Sequence, residues 1–255
     1  MASITALLPT FNCAATVRNT LESVKWADRI LVVDSFSTDD TVAICREYTP
    51  WIVQHEYVNS AAQKNWAMEQ IETEWTLQID SDEVVETSLR DEIQRAVIEY
   101  PDADGFRVRI KNLVWGKWVR NCKLYPCAQV RFFRSGKGRW SSREVHARLC
   151  GLAKIVNLSH HIIHSDLEDV SNELQQFSRQ VVVWESNELW KNGRRWRWSD
   201  VTLRPLAIFL IYYFREGGYR EGFRGFYLSV YKSMYSFFTY ARLYELEIKR
   251  GVKQS

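Results

Sequence analysis

No run of about 18 uncharged apolar residues occurs in this chain, which argues against a bilayer-spanning helix. Low-complexity tracts and internal repeats are also missing, so disorder is expected only over Lys249–Ser255. Cysteine is sparse: Cys13, Cys45, Cys122, Cys127 and Cys150 are odd in number and form no CxxC pair. Cys122 and Cys127 flank Tyr125-Pro126, but two sulfurs without a second pair make a poor zinc site. Reduced, mostly structural thiols in a cytosolic protein are the expectation. A signal-peptide pattern is lacking, because Met1–Leu8 runs straight into a strand. Pro9–Ala14 has no glycine-rich basic loop of the kind nucleotidyltransferases usually carry after the first strand.

What is there is 46% hydrophobic and 25% charged over 255 residues, enough for one α/β core and an appendage. The net charge of +3 is unevenly spread: residues 191–255 hold 13 Lys and Arg against 5 Asp and Glu, and residues 1–190 hold 21 against 26. The basic quarter is also aromatic. That combination favours an anionic membrane surface as a partner over nucleic acid.

Apolar runs at Ile4–Leu8, Ile30–Val33, Trp51–Val53 and Trp75–Ile79 read as strands. Helical spacing separates them, over Val17–Val24, Val42–Cys45 and Ala61–Ile71. Short connections between alternating strands and helices predict a mostly parallel sheet with helices on both faces. Beyond the helical Leu89–Ile98, the runs Gly105–Ile110, Gln129–Phe133 and one near Val145–Leu149 alternate like strands of a mixed sheet. From Leu167 onward the chain reads as helical, with a junction at Arg194-Arg195-Trp196-Arg197-Trp198. Two apolar helices follow, Leu203–Phe214 and Gly222–Leu246, separated by Gly217-Gly218. Arg224, Lys232 and Arg242 interrupt the second one, which fits either an interfacial helix among lipid headgroups or a helix packed on the core.

The chemistry concentrates after the fourth strand, where Asp80, Asp82 and Glu83 arrive within four positions. Like charges this close repel and resist burial, so a cation is the natural neutraliser. Hard oxygen ligands suit Mg²⁺ or Mn²⁺. His160, His161 and His164 could add one ligand from outside the turn, and His164, before Ser165-Asp166, is the candidate. Thr10 and Asn12 end strand one, while Asp34, Ser35, Ser37 and Asp39 end strand two. In a parallel sheet such ends converge on one rim that can hold a nucleotide, although Asp34 and Asp39 could equally cap a helix. Gln63-Lys64-Asn65 is expected to open a helix, where it would hold a diphosphate, order the loop above it, or form an ordinary polar turn. The Arg- and Trp-rich region 106–150 suits a sugar acceptor, through Trp115, Trp118, Arg131 and Arg134, with some of its tryptophans in the core. Within Arg143-Glu144-Val145-His146, Glu144 is placed to deprotonate a hydroxyl, with His146 on the same strand face; a surface ion pair with Arg143 is the alternative.

These motifs together resemble family 2 glycosyltransferases of the GT-A fold, and more narrowly the bacterial lipopolysaccharide-core-type glucosyltransferases. The resemblance rests on Leu8–Asn12, Val32–Thr41, Gln63–Ala67, Ile79–Val84, Trp115–Trp118, Val130–Arg134, Arg143–His146 and the aromatic C-terminal helices, and so covers nearly the whole chain. It implies that Pro9, Thr10, Phe11, Asn12 and Asp34, with Ser35, Ser37, Lys64, Asn65, Asp80 and Ser81, bind a nucleotide-sugar. Asp80 and Asp82 would be the Asp-x-Asp pair, with Asp82 the more direct metal ligand. It further implies inversion at the anomeric carbon in a single displacement. Two departures stand out: Ser60 where relatives often have Gly, and Ala147 where many have a Glu that is a plausible base. The base then falls to Glu144 or stays unassigned.

The expectation is therefore an α/β, GT-A type, Rossmann-like protein. Residues 1–165 would be catalytic, with 1–100 for the nucleotide-sugar and 101–165 for the acceptor. Residues 166–255 would be a helical, aromatic and basic extension. The chain would move a hexose from a UDP-linked nucleotide-sugar to a saccharide or lipid-linked acceptor in envelope polysaccharide or lipopolysaccharide synthesis. It would be cytoplasmic, peripheral on the inner face of the plasma membrane. The rival expectation is a non-catalytic scaffold that binds sugar-nucleotide or glycan in an envelope assembly; Ala147 supports it and the intact Asp80 and Asp82 oppose it.

Overall fold

The computed structural model describes residues 2–141, 148–167, 170–171 and 182–251. Eleven strands and four helices come first: β1 (Ile4–Thr10), α1 (Val17–Val24), β2 (Arg29–Asp34), α2 (Thr41–Arg46), β3 (Ile52–Gln54), α3 (Ser60–Met68), β4 (Trp75–Gln78), β5 (Glu83–Val85), α4 (Thr87–Glu99), β6 (Gly105–Val114), β7 (Lys117–Trp118), β8 (Cys127–Arg134), β9 (Arg139–Trp140), β10 (Leu149–Cys150) and β11 (Ile155–Leu167). Helices α5 (Val182–Lys191), α6 (Trp198–Val201), α7 (Leu203–Leu210) and α8 (Phe223–Gly251) follow. A π-helical turn, Ile211–Arg215, and a 3₁₀ turn, Gly218–Glu221, lie between α7 and α8. Two compact units result: residues 1–111 with 126–166, and residues 112–125 with 167–255.

The first unit is built on a sheet ordered β3-β2-β1-β4-β8-β6-β11-β5. β1 pairs in parallel with β2 and β4, and β2 in parallel with β3. β8 then runs antiparallel to β4 and β6, and β5 antiparallel to β11. The central strands carry apolar residues on both faces because both are covered. Ala6, Leu8, Ile30 and Val32 pack with Val17 and Leu21 of α1 and with Leu89 and Ile93 of α4. Leu7, Leu31 and Val33, one step out of phase, pack with Ala67 of α3. Leu8 and Leu21 are fully buried, so truncating either to Ala costs about 2–5 kcal/mol. Helix α3 starts at Ser60 because the Asn59 side chain accepts from Ala62 N at 2.8 Å, a standard cap.

Two features differ from the sequence expectation. The acidic turn is followed at once by β5, and the histidine segment is part of the 13-residue strand β11. Leu158 and Ile162, the buried residues of β11, stand four apart, a spacing that hides a strand's period of two. The run near Val145–Leu149 contributes β10 at Leu149–Cys150, which pairs with β9; Glu144, Val145 and His146 lie outside the described residues.

In the second unit, α8 is a 29-residue helix and the 112–125 segment has its own small core: Val114, Val119 and Cys122 pack on Leu228. Leu228, Tyr240, Leu243 and Leu246 bury one side of α8, while Phe223, Phe226, Met234, Phe237 and Phe238 are exposed. Among the described residues no helix is long and apolar enough to cross a membrane.

Candidate active site at the carboxyl ends of the parallel strands

The ends of β1, β2 and β4 meet at one rim, as the parallel register dictates. Thr10 is paired with Asp34, so the loop after β1 begins at Phe11 and the loop after β2 at Ser35. Asp34 is fully buried, and its two oxygens accept from Thr10 Oγ1 (3.0 Å), Ser37 N (2.9 Å), Ser37 Oγ (2.5 Å) and Gln54 Nε2 (3.2 Å). A carboxylate offers about four acceptor positions, and all are taken here. Asp34, expected to meet the nucleotide, thus ties the two loops together through these bonds. Asn12, in the left-handed region at φ 45°, accepts from Thr38 N at 2.8 Å and gives its own N–H to Ser37 Oγ at 2.9 Å. Asp39 receives Ala14 N and Thr41 N; partial burial opposes ionisation, but these hydrogen bonds hold its carboxyl below the usual range. Burial pushes the Cys13 thiol up, against hydrogen bonds to Ser81 and Thr41. Exposed on this rim are Phe11 and Phe36, the latter strained at φ 60°.

The acidic turn splits into two environments. Asp80 is gripped from both sides: Lys64 Nζ stands 3.1 Å from Oδ1 and Arg131 Nη1 3.0 Å from Oδ2. Glu83, only 2% exposed, takes Arg131 Nη2 at 2.7 Å and receives Asp80 N at 2.9 Å. Gln78 completes the knot, donating to Asp80 at 2.9 Å and accepting from Arg131. Burial opposes the charge on Asp80, yet Lys64 and Arg131 hold its carboxyl well below the usual range. Burial likewise opposes the charge on Arg131, and Glu83 and Asp80 keep it protonated. Burial pushes the Glu83 carboxyl up against the pull of Arg131. Two cations and two carboxylates are thus paired with one another.

Asp82 is the member left facing outward, with its side chain 43% exposed and Oδ2 3.4 Å from His164 Nε2. The β5–β11 register produces this meeting, since His164 lies opposite Glu83. His160 and His161 are turned elsewhere, to Glu92 at 2.9 Å and Glu86 at 3.5 Å. Among the described residues no three His, Cys, Asp or Glu side chains converge as a metal cage. One carboxylate with one imidazole still fits Mg²⁺ or Mn²⁺ that takes its remaining ligands from substrate phosphates and water. Both oxygens of Asp80, the other expected metal ligand, face cations of the protein.

Other expected residues are relocated. Lys64 lies in the second turn of α3, one turn beyond the anion-attracting N–H groups, and its role is the Asp80 pair. Asn65 exchanges two hydrogen bonds with the Trp140 backbone, docking β9 on α3. Arg131 is inside the charge knot and not on an acceptor surface. Arg134 lies opposite Trp75, at the amino end of β4, and is spent on Glu74, Pro101 O and Ala103 O. Trp115 stacks on Phe223 and packs at a tilt against Tyr227, and Trp118 meets Tyr125 edge to face, all in the second unit. A cavity of about 610 Å³ opens instead between α3 and the β9–β10 hairpin, lined by Asn65, Trp66, Arg139 and Trp140 among others. Gln54 was not singled out from the sequence, whereas Gln63 stood with Lys64 and Asn65 as a candidate to hold a diphosphate or order the loop above it. Gln63 joins His55 to Ser35, at 2.8 and 3.0 Å. Gln78 alternates with Trp75 and Leu77 as Thr76 does, so the strand's own pattern did not set it apart.

Comparison with known proteins places this geometry. The family described as "Glycosyl transferase family 2" matches residues 5–152. The lipopolysaccharide core biosynthesis glycosyltransferase LpsC of Rhizobium meliloti (strain 1021) is 26% identical over 248 residues, covering 95% of this chain and 92% of LpsC. An uncharacterized glycosyltransferase of Rickettsia typhi is 24% identical, covering 98% and 89%. Among solved structures, S. aureus TarS 1–349 in complex with UDP-GlcNAc superposes with TM-score 0.52 at 14% identity, covering 98% of this chain and 92% of that one. Glucosyl-3-phosphoglycerate synthase from Mycobacterium tuberculosis, with Mn²⁺, UDP and glucosyl-3-phosphoglycerate, gives 0.50 at 18%, covering 78% and 82%. At these identities the structural likeness concerns the fold.

Proposed function

The chain belongs to glycosyl transferase family 2, and from that premise we propose that it is a cation-dependent, inverting transferase of a hexose from a UDP-linked donor to a saccharide of envelope polysaccharide or lipopolysaccharide. The observation that carries this reading is the outward-facing Asp82–His164 pair at the end of β4, beside an Asp80 already neutralised by protein. The donor class is supported by the UDP-GlcNAc in the TarS structure and the acceptor class by the printed role of LpsC.

Asp82 and His164 would hold Mg²⁺ or Mn²⁺, which when bound would offset the charge growing on the departing diphosphate. The Asp80–Lys64–Arg131–Glu83 knot fixes the turn, so the aim of Asp82 does not depend on substrate. Thr10–Asn12 and Ser35–Ser37, braced by buried Asp34, line the nucleotide end, with exposed Phe11 available to a base. The acceptor ring lies on the aromatic wall of Trp66 and Trp140. An acceptor oxygen bonds to the anomeric carbon as the bond to the leaving phosphate oxygen breaks on the opposite face. Glu144, outside the described residues, takes the hydroxyl proton.

The protein works at the inner face of the plasma membrane. Leu203, Leu206, Leu210 and Phe214 form one exposed row at spacings of three and four, beside Arg204. Such a row suits an anionic interface.

The test is Mn²⁺-dependent UDP release from UDP-hexoses by the wild type and by Asp82→Ala. Release by the first and none by the second, with unchanged circular dichroism, is expected; equal rates would remove the acidic turn from the chemistry. Glu144→Gln should slow transfer sharply while nucleotide binding persists.

A further inference from the structure

The second unit contains a cationic cavity that the transfer reaction above does not use. It measures about 270 Å³ and opens between the loop 120–125 and the turn 214–220. Arg120, Lys123, Arg215 and Arg220 line it, with Tyr125 and Tyr219. Glu216 also lines it, but at 3.9 Å from Lys123 Nζ and 3.8 Å from Arg215 Nε. Both separations exceed the roughly 2.7–2.9 Å of a charge-assisted hydrogen bond. Three of the cations rest on aromatic faces instead: Arg120 on Trp118 at 4.1 Å, Lys123 on Tyr212 at 5.3 Å and Arg220 on Tyr219 at 5.4 Å.

The loop that presents these charges is built with care. Cys122 and Lys123 are consecutive non-glycine residues in the left-handed region, at φ 58° and 60°. Backbone strain of this kind persists only where surrounding bonds impose it. Those bonds are present: Cys122 N donates to Glu216 O at 2.9 Å, and Arg120 N, Asn121 N and Asn121 Nδ2 all donate to Glu221 Oε1, at 3.0, 3.1 and 2.6 Å. The Glu221 carboxylate holds the loop through these bonds and keeps its charge, so four cations stand against Glu216 and Glu221 here. Gly217 has φ 72°, and a Cβ there would lie 2.6 Å from Asn121 Oδ1, so the opposite wall is equally constrained.

We propose that this cavity binds the phosphomonoester group of a phosphosugar, a ligand that the glycosyl-transfer reading does not itself require. Three arginines match phosphate oxygens with planar, forked donors, which a neutral sugar would leave unused. A concave group of charges focused on one point suits a compact dianion better than the spread charge of a lipid surface.

The probe is glucose 6-phosphate, titrated calorimetrically into the full chain, with glucose as control. Saturable binding of the phosphosugar alone is expected, weakened by high salt and by about tenfold or more in Arg215→Gln/Arg220→Gln. Lys123→Gln, in the other wall, should weaken it in the same direction. Both variants should melt as the wild type does and release UDP from the donor at the wild-type rate. Absent binding, or binding unchanged in both variants, overturns the proposal. So does loss of binding to phosphatidylglycerol vesicles in variants whose wild type ignores glucose 6-phosphate, which would make the cavity a lipid-headgroup site. Failure of the wild type to release UDP would count against the transferase reading alone, since phosphosugar binding is read separately.

Discussion

The two charged clusters of this protein are opposites in design. In the first unit, Lys64 and Arg131 face Asp80 and Glu83 at 2.7–3.1 Å, and Arg131 and Glu83 have almost no exposure. In the second, four cations line a cavity with Glu216 no nearer than 3.8 Å, and three of them lie over aromatic rings. Burial explains the difference. A charge removed from water needs a partner at contact distance, whereas a charge at an open cavity keeps its hydration until a ligand arrives. Internal balance marks a cluster that shapes the site, and uncompensated charge marks one that can receive something.

The sharpest way to break this contrast is Arg131→Leu. Glu83 would lose its partner inside the protein, and an uncompensated buried charge costs about 3–5 kcal/mol, read as a lower denaturation midpoint. Adding Glu83→Leu should return part of that loss. His164→Ala touches function rather than fold: the Mn²⁺ concentration for half-maximal UDP release should rise about ten- to a hundredfold, with little change in melting temperature. A smaller effect should appear in acid. Because the folded Asp80 carboxyl lies below its unfolded value of about 3.9, its contribution is present above that pH and is lost as pH falls toward the folded value. Asp80→Asn should therefore flatten the acid limb of a stability–pH profile; an unaltered slope would show that Lys64 and Arg131 do not hold the charge. Least of all, Arg215→Gln, at a side chain 79% exposed, should change stability by no more than about 0.5 kcal/mol. A larger loss would mean that the second cluster is structural as well.

Much of the first unit was legible along the chain. The apolar runs at Ile4–Leu8, Ile30–Val33 and Trp75–Ile79 are strands because both faces of the sheet are covered, and the carboxylates at 80, 82 and 83 mark where β4 ends. β11 was hidden: its buried Leu158 and Ile162 stand four apart, and its histidines resemble a polar loop. Arg131 and Arg134 look alike in sequence, yet one closes the charge knot and the other lies at the amino end of the sheet. Three residues along an antiparallel strand separate those two settings.

Local order along the chain determined the alternation of strand and helix, the rim where the strands stop, and the presence of an acidic turn there, since each depends on side-chain period and on neighbours a few positions away. The fold alone decided which acid is paired inside the protein and which faces outward. Arg131 reaches Asp80 across 51 positions and His164 reaches Asp82 across a strand pair. Electrostatic compensation depends on separations of a few ångströms between residues far apart in sequence, and spacing along the chain does not encode those separations.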